Sequence, residues 1–174
     1  MARTGKKNRF NPQLRKIVSG GQTGVDRAAL DAAIQAGIET GGWCPKGRRA
    51  LDGPIPDRYP MQETRGSSYR TRTRWNVRDS DATLIVCQGE PSGGTALTVT
   101  FCEQLGRPYF VHRLDTDASA GCKTIASWLV EHRVQVLNVA GPRESRQSPV
   151  YRPALALITD LMNTLLNSPG IRRP

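Results

Sequence analysis

Three glycine-bearing segments carry the chemistry most legible in this chain. The first, Val18-Ser-Gly-Gly-Gln-Thr-Gly-Val-Asp-Arg-Ala, sets Gly20, Gly21 and Gly24 where the backbone must bend sharply, since glycine alone adopts φ > 0 at little cost. Backbone N–H groups at a helix start have no acceptor of their own and attract anions. Ser19, Gln22 and Thr23 add polar side chains, and Asp26 and Arg27 fall in the first turn of the helix that follows. Asp26 suits two roles equally, opposing the helix dipole or holding a ligand's ring N–H or hydroxyl groups. The second segment, Pro91-Ser-Gly-Gly-Thr-Ala-Leu-Thr, offers another amide cradle at Gly93 and Gly94, with Thr95 placed to cap the helix it opens. The third contains Gly141, Pro142 and Arg143, a guanidinium fit for bidentate phosphate binding. Glu144 could instead pair with Arg143 or Arg146, a surface contact worth little.

Several chemistries lack their residues. The first segment has neither the Gly-Lys-Ser/Thr ending of a phosphate-binding ATPase loop nor the G-x-G-x-x-G spacing. There is no Gly-x-Ser-x-Gly elbow. Cys44, Cys87, Cys102 and Cys122 are far apart, with only His112 and His132 to join them, so no metal held by protein ligands is expected. Cys87 and Cys102 read as small buried hydrophobes; Cys44 and Cys122 are the more exposed candidates, Cys122 near a helix start that would lower a thiol pKa. His112 closes a predicted strand at the ligand edge, where it could act as a base. Trp43, Tyr69 and Trp75 could stack on a heterocycle or a guanidinium, or simply pack.

These segments need a scaffold that brings them together. Apolar runs over 15–19, 38–43, 82–87, 108–112 and 134–139 read as strands, and helical spacing appears over 23–36, 95–105, 121–133 and 149–167. Such alternation predicts an α/β fold, a doubly wound parallel sheet of about five strands with helices on both faces. Ligands then bind beyond the carboxyl ends of the strands, at the switch point, where all three glycine segments fall. Residues 44–68 carry Pro45, Pro54, Pro56 and Pro60 without steady period and read as an extended loop, of a length that is either functional or disordered. Its Lys46, Arg48, Arg49, Arg58 and Arg65, with Arg70, Arg72, Arg74 and Arg78 just beyond, would form either a solvated basic face or, the favoured reading, a cationic wall beside the ligand.

The 174 residues fit one ligand-binding domain over 12–168, preceded by a basic arm at 1–11 expected to be disordered and followed by a flexible tail at 169–174. With 25 Lys+Arg against 15 Asp+Glu, the net charge of +10 concentrates anions. No apolar run approaches the ~20 residues of a membrane span. Met1 to Arg9 lack the apolar core of a secretory signal, so a cytoplasmic location is expected.

The ordered motifs Val18-Ser-Gly-Gly-Gln-Thr-Gly-Val-Asp-Arg-Ala, Gly41-Gly-Trp-Cys-Pro-Lys-Gly-Arg-Arg-Ala, Ile55-Pro-Asp-Arg-Tyr-Pro, Arg74-Trp-Asn-Val-Arg-Asp-Ser-Asp, Gly93-Gly-Thr-Ala-Leu-Thr and Asn138-Val-Ala-Gly-Pro-Arg-Glu-Ser resemble the putative molybdenum carrier family. That Rossmann-like group is related to molybdenum cofactor carriers and, distantly, to lonely-guy type phosphoribohydrolases. The resemblance implies homo-oligomers that bind molybdenum cofactor (molybdopterin) through its phosphate and pass it to a molybdoenzyme. Residues carried into the expected site are Ser19 to Gly24, Asp26, Arg27, Lys46, Arg48, Arg74, Asn76, Gly93 to Thr95 and Gly141 to Glu144. The phosphoribohydrolase signature is broken, because Ala96, Leu97 and Thr100 stand where its Gly, Thr and catalytic Glu would fall, with Glu103 one turn on. A carrier or store of a phosphorylated heterocycle is the leading expectation, a hydrolase of nucleoside monophosphates the second. A basic nucleic-acid-binding module is the third, although no reader motif is present; neither nucleic acid nor membrane is an expected partner.

Overall fold

The structure, a computed structural model, describes residues 14–167; the expectations for the basic arm and the tail lie outside them. In chain order the elements are β1 (Lys16–Val18), α1 (Val25–Gln35), β2 (Glu39–Gly41), β3 (Trp43–Cys44), β4 (Arg49–Ala50), β5 (Gly53–Pro54), β6 (Gln62–Glu63), α2 (Tyr69–Arg78), β7 (Ala82–Cys87), α3 (Gly93–Gln104), β8 (Tyr109–Arg113), α4 (Ala118–Glu131), β9 (Val136–Ala140) and α5 (Tyr151–Asn167). Five of the strands form one parallel sheet in the order β2-β1-β9-β7-β8. Ile17 lies opposite Thr40 and Leu137, and Leu84 opposite Phe110 and Val139. All six residues of β7 are buried, as expected of a strand covered by helices on both faces.

One face is covered by α1, α4 and α5. The alanines of α1 (Ala28, Ala29, Ala32 and Ala33) let α5 come close, and Leu157, Ile158, Leu161 and Met162 of α5 fill the core with Ile125 and Leu129 of α4. Each large side chain buried there contributes roughly 1.5–3 kcal/mol. On the opposite face Val77 of α2 packs with Phe101 and Cys102 of α3. This is the expected doubly wound, Rossmann-like architecture.

The chain departs from its sequence reading in the stretch expected as one strand over 38–43. Gly42 has φ 129, and a Cβ there would lie 2.0 Å from the Ser19 carbonyl oxygen. The chain therefore leaves the sheet at Gly42 to pass over the first turn, and Trp43–Cys44 pair with Gln62–Glu63 instead. The segment over 44–68 is likewise ordered by the ladders β3-β6 and β4-β5.

Two expectations about reactive side chains are corrected. Cys44 and Cys122 are buried like the other two cysteines, and burial pushes all four thiols up rather than down. His112 is 5% exposed, its imidazole seated against Gly121 of α4, where burial lowers its pKa.

Candidate anion-binding cleft

Because β1, β9 and β7 are neighbours, the three glycine segments stand side by side at the carboxyl edge of the sheet. Their glycines serve different ends. A Cβ on Gly24 would lie 2.5 Å from both the Glu144 nitrogen and the Pro142 oxygen, and one on Gly141 would lie 2.2 Å from the Val86 oxygen. These two positions let three backbones touch, and Val25 N–H donates to the Pro142 carbonyl across the join at 3.3 Å.

The first turn is consequently closed, against the expectation of an open cradle. Gly21 N–H donates to Ser19 Oγ, Gln22 N–H to Asp26 Oδ2 and Thr23 N–H to Gln22 Oε1. Ser19, fully buried, gives its own hydroxyl to the Asp26 carbonyl. The Arg72 guanidinium lies on Gly20, while Ile55 and Met61 cover Gly21. The turn is a buttress whose amides from Gly20 to Thr23 are already used.

The second turn is the open one. Ideal Cβ atoms on Gly93 and Gly94 meet nothing within 4 Å, and among the described residues their N–H groups have no acceptor. Ser92, not Thr95, is the N-cap, and its side chain makes no capping bond; Thr95 sits buried one turn inside the helix. In front of this helix start lies a cleft of about 360 Å³ walled by Gln22 and Asp26 of the first turn and α1, Tyr69, Arg70, Arg72 and Thr73 of α2, Ser92, Gly94, Thr95, Leu97 and Thr98 of α3, and Ala140 to Arg143. It is the size of a small-molecule site and occupies the crevice between β9 and β7.

The cleft is rich in hydrogen-bond donors. Arg72 and Arg143 both stand over the Tyr69 ring, at 5.8 and 5.3 Å from its centroid. Arg72 Nη1 also reaches Asp26 Oδ2 at 3.2 Å. Burial raises the Asp26 carboxyl pKa, and the nearby Arg72 charge and the N–H groups of Gln22 and Gly20 only partly oppose it. Gln22 is 4% exposed; its Oε1 accepts from Thr23 and Leu51 N–H, yet among the described residues its Nε2 has no partner, and neither has Arg72 Nε. An unsatisfied buried donor costs about 1–3 kcal/mol.

Of the residues expected at a site, Gln22, Asp26, Gly94, Thr95, Gly141, Pro142 and Arg143 line this cleft and Gly93 borders it. Others serve the scaffold. Arg27 forms a bidentate pair with Asp52 and bonds the Gly21 carbonyl. Arg48 holds the carbonyls of Ile55, Pro56 and Tyr59, and Asn76 grips both N–H and C=O of Trp43. Glu144 accepts from Val150 and Tyr151 N–H at the start of α5 rather than pairing with an arginine. Lys46 and Arg74 are exposed and do not line the cleft. Trp43 and Trp75 meet edge to face, with ring centroids 4.8 Å apart. Thr100 bonds the Ala96 carbonyl and Glu103 the Tyr109 hydroxyl, so neither reaches the cleft. Of the expected cationic wall, Arg70 and Arg72 line the cleft and the other seven residues do not, while Thr73, Leu97 and Thr98 were not singled out from the sequence. Their helical spacing from Tyr69 and Gly94 was the available signal.

Fold and cleft together define a doubly wound α/β protein with a crevice rich in hydrogen-bond donors at its switch point. Residues 17–162 match the model of the circularly permutated YpsA SLOG family, and the chain belongs to that family. The permutation is visible in the sheet: counted from β9, the order β2-β1-β9-β7-β8 becomes 3-2-1-4-5, the order of the unpermuted doubly wound fold. The chain is also similar to the crystal structure of the "putative molybdenum carrier protein" of Syntrophus aciditrophicus SB, with 46% identity and a TM-score of 0.83 over 89% of this chain and 96% of that one. This agrees with the resemblance carried by the motifs. A comparison with curated proteins finds no match. Among the described residues no helix is long and apolar enough to cross a membrane.

Proposed function

We propose that this protein is a carrier or store for a phosphorylated heterocyclic cofactor, and that the cargo is molybdenum cofactor. The observation that carries this reading is the start of α3, where the N–H groups of Gly93 and Gly94 have no acceptor among the described residues and Gly94 lines the cleft together with Arg143. Free amides at a helix start suit a phosphate, and a guanidinium neutralises its charge. The partnerless Gln22 Nε2 supports the same reading, since it marks the wall as incomplete without a ligand. The name of the Syntrophus protein supports the choice of cargo. In this role the protein works in the cytoplasm as a homo-oligomer and delivers its cargo to a molybdoenzyme.

Freshly purified protein is expected to carry pterin fluorescence and molybdenum together. Gly94→Val, whose side chain would enter the cleft, is expected to lower cargo retention at least about tenfold while leaving the fold intact, because no atom lies within 4 Å of the new Cβ. Undiminished retention in that variant would refute the site. Base release from nucleoside monophosphates by the pure protein would replace the carrier with a hydrolase.

A further inference from the structure

We propose that Gln22 and Arg72 form a donor-only subsite for an acceptor oxygen of the ligand, so that the cleft prefers phosphorylated compounds bearing a second oxygen over those presenting an amino group there. The inference rests on the phosphate reading of the cleft and extends it to the far end of the ligand.

The two residues come from different elements and meet on Asp26. Gln22 N–H reaches Asp26 Oδ2 at 3.3 Å, and Arg72 Nη1 reaches the same oxygen at 3.2 Å. What each has left is a donor: Gln22 Nε2 and Arg72 Nε are both buried with no acceptor, and both residues wall the cleft. The amide cannot turn over to present its oxygen instead. Its Oε1 already accepts from Thr23 N–H at 3.0 Å and Leu51 N–H at 2.8 Å, and reversal would set an NH2 group against both. A guanidinium has no acceptor in any orientation. Asp26 is the one carboxylate among the lining residues, and its Oδ2 is already committed to donors.

A ligand oxygen that gains access to either buried donor pairs it, whereas an amino group opposes N–H to N–H. Sites built on buried hydrogen-bond donors discriminate strongly because the mismatched ligand leaves them unpaired. The oxygen can belong to an oxo group on the heterocycle or to a second phosphate.

Isothermal titration of the full chain with inosine 5′-monophosphate, adenosine 5′-monophosphate and adenosine 5′-diphosphate separates these sources. An oxo subsite makes the inosine compound at least about tenfold tighter than its adenosine counterpart; a second-phosphate subsite gives that advantage to the diphosphate instead. In either case Gln22→Glu, which replaces the donor with an oxygen, and Gln22→Met, which removes it, are expected to erase the preference. Thermal melts check that both variants fold. Equal affinities for all three ligands, lost in Gly94→Val, would overturn the subsite and leave the phosphate cleft standing. A preference that survives both Gln22 variants also overturns it. Failure of all three to bind overturns the subsite, and the pterin and molybdenum content then decides whether the carrier reading falls with it.

Discussion

Glycine does two opposite jobs along the carboxyl edge of the sheet. Gly24 and Gly141 are there because another backbone occupies the space a side chain would need, and Gly94 faces space that nothing occupies. The distinction yields contrasting expectations for the same substitution. Gly24→Ala combines φ 87 with a Cβ placed 2.5 Å from the backbone of the third turn. It should cost about 2–4 kcal/mol and lower the melting temperature clearly. Gly94→Ala should leave the melting temperature within a few degrees, because helix-compatible backbone and open space carry no such penalty. Differential scanning calorimetry of the two variants tests this. Equal melting temperatures would show that the first and third turns do not depend on close contact.

At the scale of elements, the contact between β8 and α4 contains a titratable group with an unfavourable charged state. The His112 imidazole fills the space beside Gly121, where a Cβ would lie 2.3 Å from Cε1. Burial holds its pKa below the ordinary 6.5, against a smaller upward pull from Asp115. The unfolded chain therefore binds the proton more readily than the folded one, and the stability due to this contact is complete above the unfolded pKa. It is lost as pH falls from there through the folded value. Urea midpoints are expected to drop between about pH 7.5 and about pH 5.5, with the slope reduced in His112→Gln. A slope unchanged by the substitution would assign the pH dependence to other groups. The neighbouring α2 shows the reverse use of charge, since it spends Arg72 on Asp26 to fasten the first turn.

For the whole molecule, the sheet order has a direct consequence. Counting from β9 restores the order 3-2-1-4-5 without moving any strand, so the contacts that hold the fold do not depend on where the chain begins. A permuted chain with Pro174 joined to Met1, opened between His132 and Arg133, is expected to fold to the same sheet. The new ends fall in an exposed turn. Far-UV circular dichroism and a cooperative melt near that of the parent would confirm it; a chain without a cooperative transition would refute it. The charge of +10 acts at the same scale, drawing anions toward the molecule in a manner that salt weakens.

Local patterns in the sequence determined the alternation of strands and helices, their approximate limits and the placement of three glycine turns at one sheet edge. Apolar periodicity and turn chemistry act over a few residues, and the run Ala82 to Cys87 or the alanine face of α1 can be read from them directly. Which turn would stay open was decided only by tertiary structure. The first turn, Ser19 to Gly24, has the richer anion-binding appearance, yet Arg72 is 52 positions from Gly20 and lies on it, and Ile55 and Met61 close Gly21 from a loop without period. The fates of Arg27 and Asn76 were set in the same way, by partners 25 and 33 positions away, and that of Arg48 by carbonyls 7 to 11 positions on in a loop without period. Residue type states what a side chain can bond, but only packing determines which of its bonds are already taken, and the cleft consists of those that are not.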